Sequence, residues 1–146
     1  MTADRAKGGR RAGAGIFALG AFFAVGAAIA AVTAVALLTP GGFLEPIWRL
    51  NPDAHDRLRA MGPWAVPLMA VVALACLLSA IGLWRRARWG HHLAVALLAA
   101  NLVGDLANAL ARGDLRTLIG LPVAGALLAY LLSAGVRAQF LGTRAG

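Results

Sequence analysis

Residues 14–38 hold 25 consecutive residues without a charged side chain, most of them apolar. A helix needs roughly 20 such residues to cross the hydrocarbon core of a bilayer, so this run by itself directs the chain to a membrane. Its start is basic (Arg5, Lys7, Arg10, Arg11), and small residues such as Ala34 and Ala36 lie near its end. That pattern also fits a cleavable signal peptide, but signal cores usually span about 7–15 residues, and a retained first helix is the expected outcome. Residues 1–13 read as a basic, disordered cytoplasmic tail.

Three further runs follow. Residues 64–84 form a second span with Trp64 and Trp84 at its two ends, where indoles favour headgroup depth. Residues 91–111 form a third, and residues 115–136 a fourth that Pro122 is able to bend. Gly113 suits a C-terminal cap and Asp114 an N-cap, which makes the link between the last two short. Gly125, Ala129 and Ser133 line up as a small-residue ridge on the fourth span. Residues 137–146 are a polar cytoplasmic tail.

The outer loop, 39–63, opens with Thr39, Pro40, Gly41 and Gly42, which stop the first helix. Asn51 followed by Pro52 reads as an N-cap and first helical position. Ala54, Leu58 and Met61 then share one face, predicting a short amphipathic helix at the membrane interface.

Between the second and third runs stands GLWRRARWGHH, residues 82–92. Arg85, Arg86 and Arg88 fix the topology here: a turn this short makes its flanking spans an antiparallel hairpin, and arginines stay on the cytoplasmic side. With both termini inside, nine Lys or Arg (Arg5, Lys7, Arg10, Arg11, Arg85, Arg86, Arg88, Arg137, Arg144) face the cytoplasm against five outside (Arg49, Arg57, Arg59, Arg112, Arg116). The expected fold is therefore all-α: a polytopic membrane protein with four transmembrane helices in an antiparallel bundle, one membrane domain over 14–136, and an interfacial helix in the outer loop.

Composition agrees. Of 146 residues, 60% are hydrophobic, against roughly 45–50% in soluble domains. The net charge of +8 sits in short segments beside apolar runs, which suits anionic lipid headgroups and speaks against nucleic acid as a partner. One lysine against thirteen arginines hints at a GC-rich bacterial genome. Cys76 is the only cysteine, so an intrachain disulfide is excluded.

GLWRRARWG, the preceding WRLNP and the Asn-x3-Asp-x2-Asn pattern that follows resemble small four-span bacterial membrane proteins of unknown function. The resemblance covers about residues 43–140 and implies a topology and no activity.

One polar constellation stands inside a span. Asn101, Asp105, Asn108 and Arg112 recur at i, i+4, i+7 and i+11, on a single face of the third helix. At about 1.5 Å per residue, Asp105 lies roughly 6 Å outward of the midplane and Arg112 about 16 Å. A bare carboxylate at that depth costs on the order of 2.5–3.5 kcal/mol, so Asp105 is expected to face the bundle and find a partner or be protonated. Asn108 is placed to bond Asp105, with Arg49 or Arg116 as cations from elsewhere. The stripe glues helices together, or it serves as a proton or cation site. His91 and His92, beside Trp89, read as solvated interfacial histidines. His55 with Asp56 and Glu45 matches no recognised metal spacing, and no catalytic motif, cofactor site or metal site is found.

The expected function follows from these absences. It is a non-enzymatic structural or accessory component of the bacterial inner membrane, associating with itself or with a membrane partner. The alternative is a small oligomeric proton- or cation-coupled transporter using Asp105.

Overall fold

The computed structural model describes the backbone of residues 2–112 and 120–141, with the side chains of 13–110 and 121–140. Among the described residues there are six α-helices and no strand. They are α1 (Thr2–Leu38), α2 (Pro52–Ala60), α3 (Ala65–Trp84), α4 (Arg88–Arg112), α5 (Gly120–Leu132) and α6 (Ala134–Leu141). The segment expected as a disordered tail continues α1 from Thr2 onward. The expected caps at Gly113 and Asp114 lie outside the described residues.

Three helical stretches are long and apolar enough to cross a membrane: Gly13–Leu38, Gly62–Trp84 and Arg88–Leu110. Large apolar side chains such as Phe22, Ile29, Val71 and Leu74 are exposed on them. Outward-facing aliphatic surface on helices of this length is what lipid solvates and water does not.

The fourth apolar run departs from the expected single span. Leu121–Leu132 and Ala134–Phe140 meet at an angle of 59°, and the bend is at Ser133 rather than at Pro122. Pro122 is the third described residue of α5, and the residue four before it lies outside the described residues. At Ser133 the backbone N–H and the hydroxyl both donate to the Tyr130 carbonyl, at 3.1 and 2.7 Å. That tight closure ends the α-helical ladder one residue early, and α6 restarts in a new direction. The ridge of Gly125, Ala129 and Ser133 takes no part in this packing: Ala129 and Ser133 are exposed, and a Cβ on Gly125 would meet nothing within 4 Å.

The chain parts into two compact units, Met1–Phe23 with Leu78–Gly146, and Ala24–Leu77. The membrane domain expected over 14–136 is distributed over both.

In the unit Ala24–Leu77, α1 ends where the Thr39 hydroxyl donates to the Val35 carbonyl at 2.9 Å. Gly41, at φ +75°, turns the chain, and its N–H donates to a Glu45 carboxylate oxygen at 3.1 Å. Asn51 caps α2 as expected: its side-chain oxygen accepts from Ala54 N–H at 3.0 Å, with Pro52 at the first helical position. On the face expected to be apolar, Ala54 and Leu58 are half-buried and Met61 is exposed. Trp48 is buried, with its ring stacked 4.3 Å from that of His55.

The other unit is organised by the arginine turn. Ala87 N–H donates to the Gly82 carbonyl at 2.8 Å and Arg86 N–H to the Leu83 carbonyl at 3.0 Å. This pair of bonds is a Schellman closure, and it puts Arg86 at the left-handed position, φ 52°, usually held by glycine. Glycine is instead needed at the crossing itself. Gly82 of α3 and Gly90 of α4 lie backbone to backbone, so that a Cβ on either would overlap the other's main chain. Trp84 closes the same end against α1. Its indole N–H donates to the Phe17 carbonyl at 3.2 Å, and its ring covers Gly20. The Tyr130 hydroxyl of α5 rests against Gly15. Ile16, Leu19, Leu83, Ala94, Leu131 and Val136 fill the interior between them.

Two substitutions at the turn should move stability in opposite directions. Gly90→Ala meets backbone rather than a yielding side chain and should lower stability by about 1–3 kcal/mol. Arg86→Gly removes the cost of a left-handed residue and should raise it by about 1 kcal/mol. Thermal unfolding of both variants in detergent checks the two signs.

Candidate functional site

One face of α4 runs through His91, Ala94, Leu98, Asn101, Asp105 and Asn108, spaced alternately by three and four residues. Such spacing makes a single seam along a helix. Its first half is closed: His91 is 7% exposed, Ala94 0% and Leu98 3%. Its second half opens, with Asn101 exposed and Asp105 and Asn108 half-buried. The polar stripe read from the sequence is thus the continuation of a packed apolar seam.

Asp105 and Asn108 do not bond each other, and among the described residues no hydrogen bond or ion pair reaches Asp105. The Arg112 side chain and all of Arg116 lie outside the described residues. Gly104 flanks the stripe, and a Cβ there would meet nothing within 4 Å. The sequence reading passed over Gly104, although its offset of three from Asn101 places it beside that face.

The closed end of the seam holds a second constellation. The bend at Ser133 leaves the Leu131 carbonyl without its helical donor, and the His91 ring takes that place: Nε2 is 2.9 Å from Leu131 O, both buried. Since the carbonyl only accepts, Nε2 carries the proton. The ring lies 4.9 Å from that of Phe140, on α6. Arg88, one turn before His91, donates from Nε to the Phe140 carbonyl at 3.2 Å, capping α6. Arg88, His91, His92, Arg137 and Phe140 line a shallow cavity of about 40 Å³ that opens to the surface. Two guanidinium groups and two imidazoles meet there, and among the described residues no carboxylate lines it.

The reading of His91 as a solvated interfacial residue is therefore corrected: it is buried, because a main-chain acceptor 40 residues away requires it. His92 is exposed as expected. Arg137 had been assigned to a polar tail and is brought to α4 by the bend. The signal within reach of sequence was the i, i+3, i+4 spacing of Arg88, His91 and His92, which puts them on one face at the start of α4.

In the outer loop, His55, Asp56 and Glu45 do not assemble a metal site. His55 stacks on Trp48, Glu45 accepts from Gly41 N–H, and among the described residues no group of three or more His, Cys, Asp or Glu stands together.

His91→Leu should orphan the Leu131 carbonyl at the bend and cost about 1–3 kcal/mol. His91→Gln, whose amide retains a donor, should lose clearly less. Chemical denaturation in mild detergent gives the comparison, and equal losses would mean that ring packing on Phe140 outweighs the hydrogen bond.

No protein-family model, curated protein or solved structure matches the chain.

Proposed function

We propose that this chain is a non-enzymatic structural or accessory protein of the bacterial inner membrane that works by associating with a second copy of itself. It crosses the bilayer four times in antiparallel order, α5 and α6 together supplying a broken fourth span, with both termini cytoplasmic. Support for that topology comes from the excess of basic residues assigned to the cytoplasmic side. It comes also from the contacts that gather Phe17, Trp84, Arg88 and Leu131 in one unit.

The observation that carries the functional reading is the open half of the α4 seam. In hydrocarbon, polar side chains at that depth find a protein partner. Two copies inserted in the same direction and related by a two-fold axis along the bilayer normal bring like residues together. Asparagine suits that arrangement because its amide is both donor and acceptor, so Asn101 and Asn108 are their own complements. Asp105, between them, receives the amide donors of the second copy's Asn101 and Asn108, and Gly104 allows the backbones to approach.

The transporter reading needs a polar path continuing inward from Asp105. Ala94 and Leu98 stand in the way, at 0% and 3% exposure, and separate Asp105 from His91 along the seam. That apolar stretch supports the reading of the seam as a contact.

In a Cys76→Ala background, Asn108→Cys should give a disulfide-linked dimer in membranes, while Val103→Cys, exposed on another face, should not. Equal cross-linking at both would sink the proposed interface. Reconstituted vesicles address the alternative: Asp105→Asn should weaken assembly with no proton flux to lose, and a flux abolished by this variant in an intact fold would favour transport.

A further inference from the structure

We infer that the basic cavity at the start of α4 is a binding site for the phosphodiester of an anionic phospholipid. The inference rests on the membrane reading above and adds a defined lipid site to it.

Charge comes first. Arg88 and Arg137 reach the cavity from α4 and α6, and His92 adds a third nitrogen-bearing group from the exposed side. Guanidinium is the side chain best matched to phosphate oxygens, because its planar fork donates in pairs. Arg88 is held in place, since its Nε is already engaged with the Phe140 carbonyl. The back wall is fixed as well: His91 is locked by Leu131 O and packs on Phe140. A rigid floor with cations at its rim is preorganised for an anion and loses little entropy on binding.

Placement selects a lipid over a free anion. Trp89 follows Arg88 directly and is about half exposed, as is Trp84 across the turn. Half-exposed tryptophans mark the headgroup level. The neighbouring residue on α5, Leu132, is also about half exposed and gives acyl chains an apolar surface beside the phosphate. Basic pockets between membrane helices at this depth are where acidic headgroups dock. The 59° bend has a use in this arrangement, since a straight helix would carry Arg137 away from α4.

The test uses the full chain in nanodiscs of phosphatidylcholine with or without phosphatidylglycerol, with lipid retention read by native mass spectrometry after transfer to detergent. Wild type should retain phosphatidylglycerol in preference to phosphatidylcholine. Arg137→Gln and His92→Gln, both exposed and outside the packed interior, should each weaken that retention about tenfold, as expected for losing one charge-assisted hydrogen bond. Arg59→Gln in the outer loop should leave retention unchanged. Three results would overturn the inference: no preference between the two lipids, an equal loss in Arg59→Gln, or displacement of phosphatidylglycerol by inorganic phosphate at matching concentration. Failure of the membrane reading is separately visible, because alkaline carbonate would then strip the protein from membranes. Retention in the membrane without lipid selection defeats only the pocket.

Discussion

A buried main-chain carbonyl without its helical donor needs another partner, and the Leu131 carbonyl is in that position. Ser133 closes its turn on Tyr130, the helical ladder stops, and the oxygen of Leu131 is left facing α4. An unsatisfied buried carbonyl costs about 1–3 kcal/mol. His91 removes that penalty with one hydrogen bond, and its ring supplies a surface for Phe140. The Arg88 hydrogen bond to the Phe140 carbonyl and the meeting of Arg137 with His92 at one cavity lie beside this donor.

The same end of that unit is held by close approach. Gly82 against Gly90 brings α3 and α4 to backbone contact, and the Trp84 indole reaches over Gly20 to the Phe17 carbonyl. Approach this close is open only to residues without a side chain. Glycine is accordingly kept where backbones touch and is dispensed with at Arg86, where the left-handed conformation has a modest cost.

Sequence revealed what is local. Apolar run lengths located α1, α3 and α4, because crossing a bilayer is a requirement on composition alone. The Asn51 cap with Pro52 behind it was readable for the same reason: donor and acceptor are three residues apart. The bend at Ser133 was missed because serine within a helix has two options, solvating its own turn or leaving the ladder intact, and tertiary packing decides between them. His91 was misread because its acceptor lies on a distant helix and exists only if that helix breaks. For the α4 stripe, periodicity gave the shared face of Asn101, Asp105 and Asn108. Their degree of cover depended on how far the neighbouring helices follow α4, which no local pattern encodes.

The seam of α4 then divides by chemistry as well as by cover. Beyond the buried His91 it is apolar at Ala94 and Leu98; where it is uncovered it turns to amides and a carboxylate. An exposed lipid-facing surface would be expected to carry residues such as Leu106 and Leu110, which do stand exposed on the same helix. Polar residues at the uncovered end are therefore poor lipid-facing residues and good contact residues. A self-contained bundle gains nothing from placing Asn101 in the open. In the proposed dimer, the register of that contact is set by the spacing of Asn101, Asp105 and Asn108 along α4.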